Sequence, residues 1–289
     1  MDKYELLEVI GSGSFGMIRK IRRKKDNKIL VRKEIDFRKM NEKERKQLVT
    51  EVNILRDLHH PNIVKYYERI IDKENYLIYI IMEYCEGGDL AVLIQKCRKE
   101  KTMIPERFIW LVFSQLILAL HECHYGSKGD NSQRPAILHR DLKPDNVFLS
   151  SNVINSYTHV KLGDFGLARV IDNPEKDFAQ TYVGTPYYMS PELINEQAYN
   201  NKSDIWSLGC LIYELCTLEP PFQARTQILL AKKIKEGKIL DIPKEYSQDM
   251  RLLIKSMLNV SQSKRPSTID FLKNEKVRFC IYEINLEEK

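Results

Sequence analysis

A carboxylate, a cation and an amide lie close together in the segment His139-Arg140-Asp141-Leu142-Lys143-Pro144-Asp145-Asn146. Transfer of a phosphoryl group to a hydroxyl requires a carboxylate that orients the hydroxyl, a cation beside the transferred phosphate and a ligand for a metal ion. Asp141, Lys143 and Asn146 are of the right chemical types for these three tasks. The segment therefore predicts a turn-rich catalytic loop for phosphoryl transfer, with Asp141 as the base.

A second carboxylate of interest follows a short predicted strand at residues 160–162. Asp164 lies between the end of this strand and a glycine turn, in Gly163-Asp164-Phe165-Gly166. Mg²⁺ binds oxygen ligands, commonly one or two carboxylates together with phosphate oxygens. We therefore expect Asp164, with Asn146, to hold Mg²⁺ beside the catalytic loop.

A glycine-rich segment, Gly11-Ser12-Gly13-Ser14-Phe15-Gly16, separates two predicted strands at residues 4–10 and 17–23. The residues after Gly16 alternate like a strand and begin no helix, so the spacing does not indicate a dinucleotide-binding fold. Glycine lacks a Cβ atom, so the backbone N–H groups of such a segment can approach phosphates closely. A plain hairpin turn is the alternative interpretation, and the motif alone does not separate the two.

Two residues of opposite charge are candidates for a pair that positions phosphates. Lys33 lies in a predicted strand at residues 29–35, and Glu51 lies beside the apolar face of a predicted helix at 41–58. Burying an unpaired ammonium group is costly, so an inward-facing Lys33 needs a partner. An outward Lys33 and a surface Glu51 are the alternative, but the neighbouring motifs favour the pair.

The order of the predicted elements divides the chain into a strand-rich first part and a helical second part. Further strands are predicted at 63–71 and 76–83, and the pair Gly87-Gly88 then leaves the sheet. Beyond residue 90 the pattern is mainly helical, and Pro105 is expected at the first position of a long helix. Later helices are predicted over 202–217, 226–236, 248–258 and 267–274. We expect an α+β fold in a single domain over 1–289, with an N-lobe at 1–83, a hinge at 84–89, a C-lobe at 90–274 and an extension at 275–289.

Composition agrees with this organisation. Of the 289 residues 43% are hydrophobic, which suffices for a sizeable core. The net charge of +6 is mild. It suits a partner that carries phosphate but does not indicate nucleic acid, and ordinary surface charge is the favoured interpretation. The six cysteines form no C-x-x-C pair, so we expect buried free thiols rather than a zinc or redox site. The apolar run at 108–120 is too short to span a bilayer and predicts a core helix.

Residues 167–191 show no periodicity and are expected to form a functional loop. A phosphate on Thr181 would pair with Arg140 and Arg169 and so order the loop. An unmodified, exposed hydroxyl at Thr181 is the alternative. Farther along the chain, Glu192 and Arg265 are a candidate buried ion pair, because a buried carboxylate needs a partner.

Taken in order, these motifs resemble the catalytic domain of a eukaryotic protein kinase, from Tyr4 to about Leu272. The nearer resemblance is to the NIMA-related kinases, the mitotic group of this family. It rests on several runs: Lys28-Ile29-Leu30-Val31, His60-Pro61-Asn62-Ile63-Val64-Lys65-Tyr66-Tyr67, residues 82–90, residues 184–192 and residues 201–211.

The resemblance implies a serine/threonine protein kinase that transfers the γ-phosphate of ATP with Mg²⁺. Lys33, held by Glu51, would contact the α and β phosphates, and Lys143 would stabilise the transferred phosphate. Lys143 and Thr185, in its Gly-Thr-Pro turn, are typical of the serine/threonine branch. The implied ATP-binding residues come from the glycine segment, the sheet, the hinge and the floor of the site: Ile10, Gly11, Ser12, Gly13, Ser14, Phe15, Gly16, Ile18, Val31, Lys33, Met82, Glu83, Cys85 and Phe148.

The chain departs from the family pattern in a few places. Leu30-Val31-Arg32-Lys33 replaces the family's Val-Ala-Ile-Lys, and we expect Arg32 to face away from Lys33 because neighbouring strand residues alternate. Residues 126–135 form a longer polar insertion than is usual. The coiled-coil tail of many NIMA-related kinases does not follow, so a catalytic fragment and a pared-down kinase both stay open.

Partners and location follow from the same resemblance. The expected partners are ATP and proteins that carry serine or threonine, and neither nucleic acid nor a membrane is expected. Transient self-association would allow autophosphorylation. The expected location is the cytoplasm or nucleus, including the centrosome or spindle pole. A pseudokinase scaffold is a competing class, but it usually lacks the lysine, the catalytic aspartate or the metal-binding aspartate, which are present here as Lys33, Asp141 and Asp164. A tyrosine or small-molecule kinase is disfavoured by residues 184–192 and Lys143.

Overall fold

The computed structural model describes residues 3–13, 16–38, 40–126, 136–151, 158–164, 169–170 and 186–287. Its first part is an antiparallel sheet of five strands in the order β1-β2-β3-β5-β4. The strands are β1 (Tyr4–Gly13), β2 (Gly16–Arg23), β3 (Lys28–Asp36), β4 (Tyr66–Asp72) and β5 (Leu77–Glu83), and helix α1 (Glu42–Asp57) connects β3 to β4. The α+β prediction is confirmed, with the strand-rich part first.

The register of the sheet sorts its side chains onto two faces. Val31 is paired with Met82, and Lys33 is paired with Ile18, so these four side chains share one face. Arg32 lies on the opposite face, as expected, where its guanidinium is 2.5 Å from Glu34 and 4.4 Å from the centre of the Tyr79 ring. Arg32, which replaces the isoleucine of the family pattern, therefore does not alter the face that carries Lys33.

Strand β4 begins three residues later than the periodicity predicts, at Tyr66 rather than Ile63. The residues before it pair with a strand of the second part instead. Val64 donates its N–H to the carbonyl of Leu162 at 2.8 Å, and Leu162 donates to the carbonyl of Asn62 at 2.8 Å. This exchange ties the sheet to the segment that carries Asp164.

The second part of the chain is mainly helical. Its helices are α2 (Leu90–Glu100), α3 (Glu106–Tyr125), α4 (Pro191–Ile194), α5 (Asn201–Thr217), α6 (Gln227–Glu236), α7 (Gln248–Met257), α8 (Thr268–Leu272) and α9 (Glu275–Glu287). Short strands form two further pairs, β6 (Ile137–Leu138) with β9 (Arg169–Val170) and β7 (Val147–Leu149) with β8 (Val160–Leu162). Strand β9 lies within a segment predicted to be entirely loop, because two residues are too few to show a period.

Helix α3 is the central helix of this part. Its 20 residues are long and apolar enough to cross a membrane by length and composition, but 78% of its most apolar window is buried inside the protein. The prediction of a core helix is confirmed. Pro105 was expected at the first helical position, and the structure corrects this by one residue: its ψ of 135° is extended, so the helix begins at Glu106.

Residues 275–289 were expected to be an extension, yet residues 275–287 form α9. Val277 and Cys280 are buried, and Cys280 joins the other five cysteines as a buried free thiol. Four consecutive apolar residues, Phe279-Cys280-Ile281-Tyr282, interrupt the charged ones in this segment, so its sequence shows no single apolar stripe. Tertiary packing on the core therefore decided a helix that periodicity did not indicate.

His60, in the turn before β4, makes stability depend on pH. Its Nδ1 accepts a hydrogen bond from the N–H of Asn62 at 3.0 Å, which requires an unprotonated nitrogen. Burial, helped by the charge of Lys161, lowers the pKa of His60 from 6.5 to about 4. Between these values the unfolded chain binds a proton that the folded chain does not, so the free energy of unfolding should fall as the pH falls from about 6.5 to about 4.

Urea denaturation of the His60→Asn variant would measure this contribution. Asparagine can still accept the bond but does not titrate, so its stability should fall less over the same pH range than that of the wild type. The exposed neighbour provides the control, His59→Asn, which should follow the wild type. Parallel curves for wild type and His60→Asn would contradict the assignment.

Candidate active site

The predicted catalytic loop closes on itself around Asp141. Residues Pro144–Asn146 form one turn of 3₁₀ helix, which brings Asn146 back toward the start of the loop. Lys143 Nζ lies 2.9 Å from Asp141 Oδ2, and Asn146 Nδ2 donates to the same oxygen at 3.0 Å and to the Asp141 carbonyl at 2.7 Å. The structure thus brings together the base, the cation and the amide.

His139 connects this loop to the segment that carries Asp164. Its Nε2 lies 3.0 Å from the carbonyl of Gly163, and its Nδ1 accepts the N–H of Asp141 at 3.4 Å, so the proton resides on Nε2. Gly163 in turn donates its N–H to the carbonyl of Asn146 at 2.9 Å. Arg140 and Asp164 have positive φ angles of 68° and 50°, a conformation that costs non-glycine residues energy and that these contacts hold in place.

Asp204 of α5 anchors the catalytic loop from below. Its buried carboxylate accepts the N–H groups of His139 at 3.1 Å and Arg140 at 3.0 Å, and the hydroxyl of Tyr199 at 2.6 Å. His124 Nε2 lies 2.8 Å from the same carboxylate. Burial alone raises the pKa of Asp204, but the hydrogen bonds and charge of His124 outweigh burial, and the pKa is lowered.

The sequence placed Asp204 in an apolar helix without a role. An aspartate inside an otherwise strongly apolar predicted helix was the signal available in the sequence, since a charge that becomes buried needs partners. The catalytic-loop partners, the N–H groups of His139 and Arg140, lie more than 60 residues away in the chain, so their identity required the tertiary structure.

Lys33 and Asp164 face each other across the junction of the two parts. The ammonium of Lys33 lies 3.3 Å from Asp164 Oδ1, and the two side chains are 24% and 46% exposed. An inward-facing Lys33 with an acidic partner is therefore present. The side chain of Glu51 lies outside the part that the structure describes, so the Lys33–Glu51 pair stays a prediction.

The glycine-rich segment is more regular than a loop. Gly11 is paired with Ile18, Ser12 with Met17, and Gly13 with Gly16, so the strands continue through the glycines. A Cβ atom at Gly16 would lie 1.6 Å from the carbonyl oxygen of Glu34, so only glycine fits at this position, where β2 begins its pairing with β3. Ser14 and Phe15, at the tip, lie outside the described residues.

The predicted hinge and floor of the site adjoin one another. Glu83, at the end of β5, donates its N–H to the carbonyl of Lys65 at 2.9 Å. Gly87 donates its N–H to the carbonyl of Leu149 at 2.9 Å, and Leu149 donates its N–H to the carbonyl of Gly88 at 2.8 Å. These bonds place β7, with its Phe148, against the hinge. Burial raises the pKa of the Cys85 thiol to about 12. Ile10, 44% exposed, precedes the paired glycines of β1.

The predicted regulatory residues are described in part. Thr181, Thr185 and the side chain of Arg169 lie outside the described residues, as does most of the insertion after Gly126. The guanidinium of Arg140 lies 5.3 Å from the centre of the Tyr199 ring.

The ion pair predicted between Glu192 and Arg265 is present and buried. Arg265 donates to the two carboxylate oxygens at 2.7 and 2.8 Å, and its remaining N–H groups donate to main-chain carbonyls, including that of Asn259 at 2.7 Å. Its guanidinium also lies 4.9 Å from the centre of the Trp206 ring. Burial opposes ionisation of Glu192, but Arg265 outweighs burial and lowers the pKa. The pair fixes α4 to the segment before α8.

Comparisons with known proteins agree with this geometry. A family model described as "Protein kinase domain" matches residues 4–276. The human "Serine/threonine-protein kinase Nek2" is 55% identical over 273 residues, which cover 94% of this chain and 59% of that protein. The "Probable serine/threonine-protein kinase nek2" of Dictyostelium discoideum is 49% identical over 286 residues, covering 99% of this chain and 65% of that protein.

The "G2-specific protein kinase nimA" of Emericella nidulans is 47% identical over 303 residues, covering 99% of this chain and 42% of that protein. The chain thus spans less than two thirds of the length of each of these relatives. The match to the family model covers nearly the whole chain and both parts of the fold. The chain therefore belongs to the protein kinase family and, within it, to the NIMA-related serine/threonine kinases.

Proposed function

We propose that the chain transfers the γ-phosphate of ATP to serine or threonine hydroxyls of proteins. The observation that carries this proposal is the catalytic loop, in which Asp141, Lys143 and Asn146 lie within hydrogen-bond distance of one another. In this arrangement the Asp141 carboxylate accepts the hydrogen bond of the substrate hydroxyl, and Lys143 stays beside the phosphate that is transferred.

Asn146 and Asp164 fit Mg²⁺. An amide oxygen and a carboxylate are hard oxygen ligands of the kind this ion prefers. The amide nitrogen of Asn146 is held on Asp141 at 3.0 Å, which fixes the orientation of the amide group. Bound Mg²⁺ would neutralise charge on the phosphate oxygens. We propose Asn146 and Asp164 as its protein ligands.

We propose that the nucleotide lies in the cleft between the sheet and the helical part, with residues 84–89 as the hinge. The shared sheet face of Ile18, Val31 and Met82 would cover the adenine from one side, and Phe148 from the other. Lys33 would contact the α and β phosphates in place of its present neighbour Asp164. The backbone of Glu83 and Cys85 would pair with the adenine edge.

The biological role is proposed from the relatives. The Emericella nidulans relative is named a G2-specific kinase, and we infer that this chain also acts in control of the cell cycle at G2 or mitosis, inside the cell. Phosphorylation of Thr181, with Arg140 and Arg169 receiving the phosphate, is the regulation we propose for it. Autophosphorylation through transient contact of two chains is the simplest source of that phosphate.

The experiment that tests the function is phosphate transfer from radiolabelled ATP, with and without Mg²⁺, to a generic protein and to the chain itself. Phosphoamino-acid analysis of the products should give phosphoserine and phosphothreonine, and mass spectrometry should place a phosphate on Thr181. Transfer to tyrosine alone, or none after treatment with an activating kinase, would refute the proposal.

The variant Lys33→Met should lose at least about 10²-fold in kcat/KM, because it removes a cation that acts on the phosphates in a partly water-excluded cleft. The fold should persist, since the Lys33 side chain is 24% exposed and makes no part of the core. The matched control is Lys28→Met, an exposed lysine at the start of the same strand, which should keep wild-type activity. Unchanged activity of Lys33→Met would remove Lys33 from this role.

A further inference from the structure

The pairing of β1 with β2 is irregular just before the glycine-rich segment. Its register shifts twice, once between Leu6 and Val9 and again between Val9 and Gly11. Such bulges interrupt the ladder of main-chain hydrogen bonds. Strand β1 also lies at the edge of the described sheet and pairs there with β2 alone. This part of β1 therefore depends on side chains for its attachment to the sheet.

Two neighbouring side chains of β2 supply that attachment. Arg19 donates from Nη1 to the carbonyl of Leu7 at 2.9 Å, and its Nε lies 3.2 Å from Glu34 Oε1 on β3. The ammonium of Lys20 lies 3.2 Å from Glu8 Oε1. Because successive strand residues point to opposite faces, Arg19 and Lys20 hold β1 from the two sides of the sheet.

Lys20 lies on the face of the sheet that borders the cleft. It is paired with Val31 in the register of β2 and β3, and so shares the face of Lys33. Its ammonium also lies 4.6 Å from the centre of the Tyr84 ring, in the hinge. A cation over the face of an aromatic ring is attracted by the electron-rich ring. The hydrogen bond to Glu8 outweighs burial and raises the pKa of Lys20, so the charge that this contact needs is kept.

We propose that Glu8, Lys20 and Tyr84, here named the Lys20 link, position the glycine-rich segment over the nucleotide by tying β1 to the hinge. The inference rests on the proposed binding of ATP in the cleft. The glycine-rich segment begins at Gly11, three residues after Glu8, and the hinge is where the adenine edge would be held. The Lys20 link thus connects the part that covers the phosphates to the part that holds the base. Lys20 is a positioning residue, because it acts through β1 and the hinge and not on the reacting atoms.

The Lys20 link should act on the binding of ATP and leave the transfer step unchanged. Without it, this part of β1 takes up several positions in the nucleotide-free chain, and ATP has to select one of them. The entropy lost in that selection weakens binding. Once ATP is bound, its phosphates hold the glycine-rich segment, so transfer proceeds as in the wild type. A change in binding without a change in chemistry raises KM and leaves kcat as it was.

Steady-state kinetics test this split. Lys20→Met keeps an unbranched side chain but loses the charge, and its KM for ATP should rise about threefold to tenfold, with kcat and the KM for the protein substrate within about twofold of wild type. Lys20→Arg keeps a cation that can reach both partners, so it should restore most of the ATP affinity. The matched control is Arg22→Met, which breaks the comparable β1–β2 pair of Arg22 with Glu5 at 2.9 Å, farther from the hinge on the same face. Its KM for ATP should equal that of the wild type.

A double-mutant cycle tests whether the hinge contact is part of the mechanism. Tyr84→Leu removes the aromatic ring and leaves the pair of Lys20 with Glu8 in place. If the three residues act as one unit, adding Lys20→Met to Tyr84→Leu should raise the KM for ATP by less than about twofold. Effects that multiply, an unchanged KM in Lys20→Met, or an equal rise in Arg22→Met would overturn the proposal.

Amide hydrogen exchange of the nucleotide-free chain tests the Lys20 link without any enzymatic readout. Lys20→Met should speed exchange of the amides at residues 7–13 by at least about threefold and leave β4 as in the wild type. Unchanged exchange at 7–13 would overturn the proposal, as would an equal increase in both strands. A wild-type chain that transfers no phosphate would refute the proposed function instead, so the two failures are distinguishable.

Discussion

Replacing Asp141 with asparagine should lower kcat by roughly 10²- to 10⁴-fold, the range that a positioned base contributes to proton transfer. The substitution keeps the size of the side chain and an oxygen that can accept from Lys143 or Asn146, so the loop should keep its shape. It removes the carboxylate charge that we propose orients the substrate hydroxyl. The KM for ATP should change little, because in the proposed mechanism Asp141 contacts the substrate hydroxyl and not the nucleotide.

Steady-state kinetics with Mg²⁺, ATP and a protein substrate would measure both constants. The control is Asp145→Asn, the same change at an exposed carboxylate of the same loop, which should retain wild-type kcat. A loss of less than about threefold in Asp141→Asn would show that another group performs this task. A loss of equal size in both variants would indicate general damage to the loop.

Replacing Arg265 with methionine should lower the free energy of unfolding by about 3–5 kcal/mol, the cost of leaving a buried charge without its partner. Arg265 is 1% exposed and Glu192 is 2% exposed, so solvent cannot take over the lost contacts. The main-chain carbonyls that accept from Arg265 would lose their donor as well. The connection between α4 and the segment before α8 should loosen, which would also reduce activity.

Urea denaturation, monitored by circular dichroism, would give the free energy for this variant and for two comparisons. Lys264→Met, an exposed residue one position earlier, should differ little from wild type. Adding Glu192→Gln to Arg265→Met should recover part of the loss, because the glutamine carries no charge that needs compensation. A loss below about 1 kcal/mol in Arg265→Met would mean that the pair contributes little to stability.

The sequence by itself determined the chemical parts of the site and most of the elements that hold them. The carboxylate, cation and amide of the catalytic loop stand within six residues, from Asp141 to Asn146, so a single turn suffices to bring them together. Period-two alternation was enough to place Lys33 and Arg32 on opposite faces of β3, because successive strand residues point in opposite directions. The Glu192–Arg265 pair followed from the general requirement that buried charges be compensated.

Tertiary structure decided what depends on contacts between distant segments. Asp204 became the anchor of the catalytic loop only because α5 passes beneath it, and no spacing in the sequence connects residue 204 to the N–H groups of His139 and Arg140. The start of β4 moved to Tyr66 because residues 62–64 pair with β8. Helix α9 formed because the core offered a surface for Val277 and Cys280. Local patterns report the preferences of a segment, whereas burial and pairing depend on the partner that the fold brings to it.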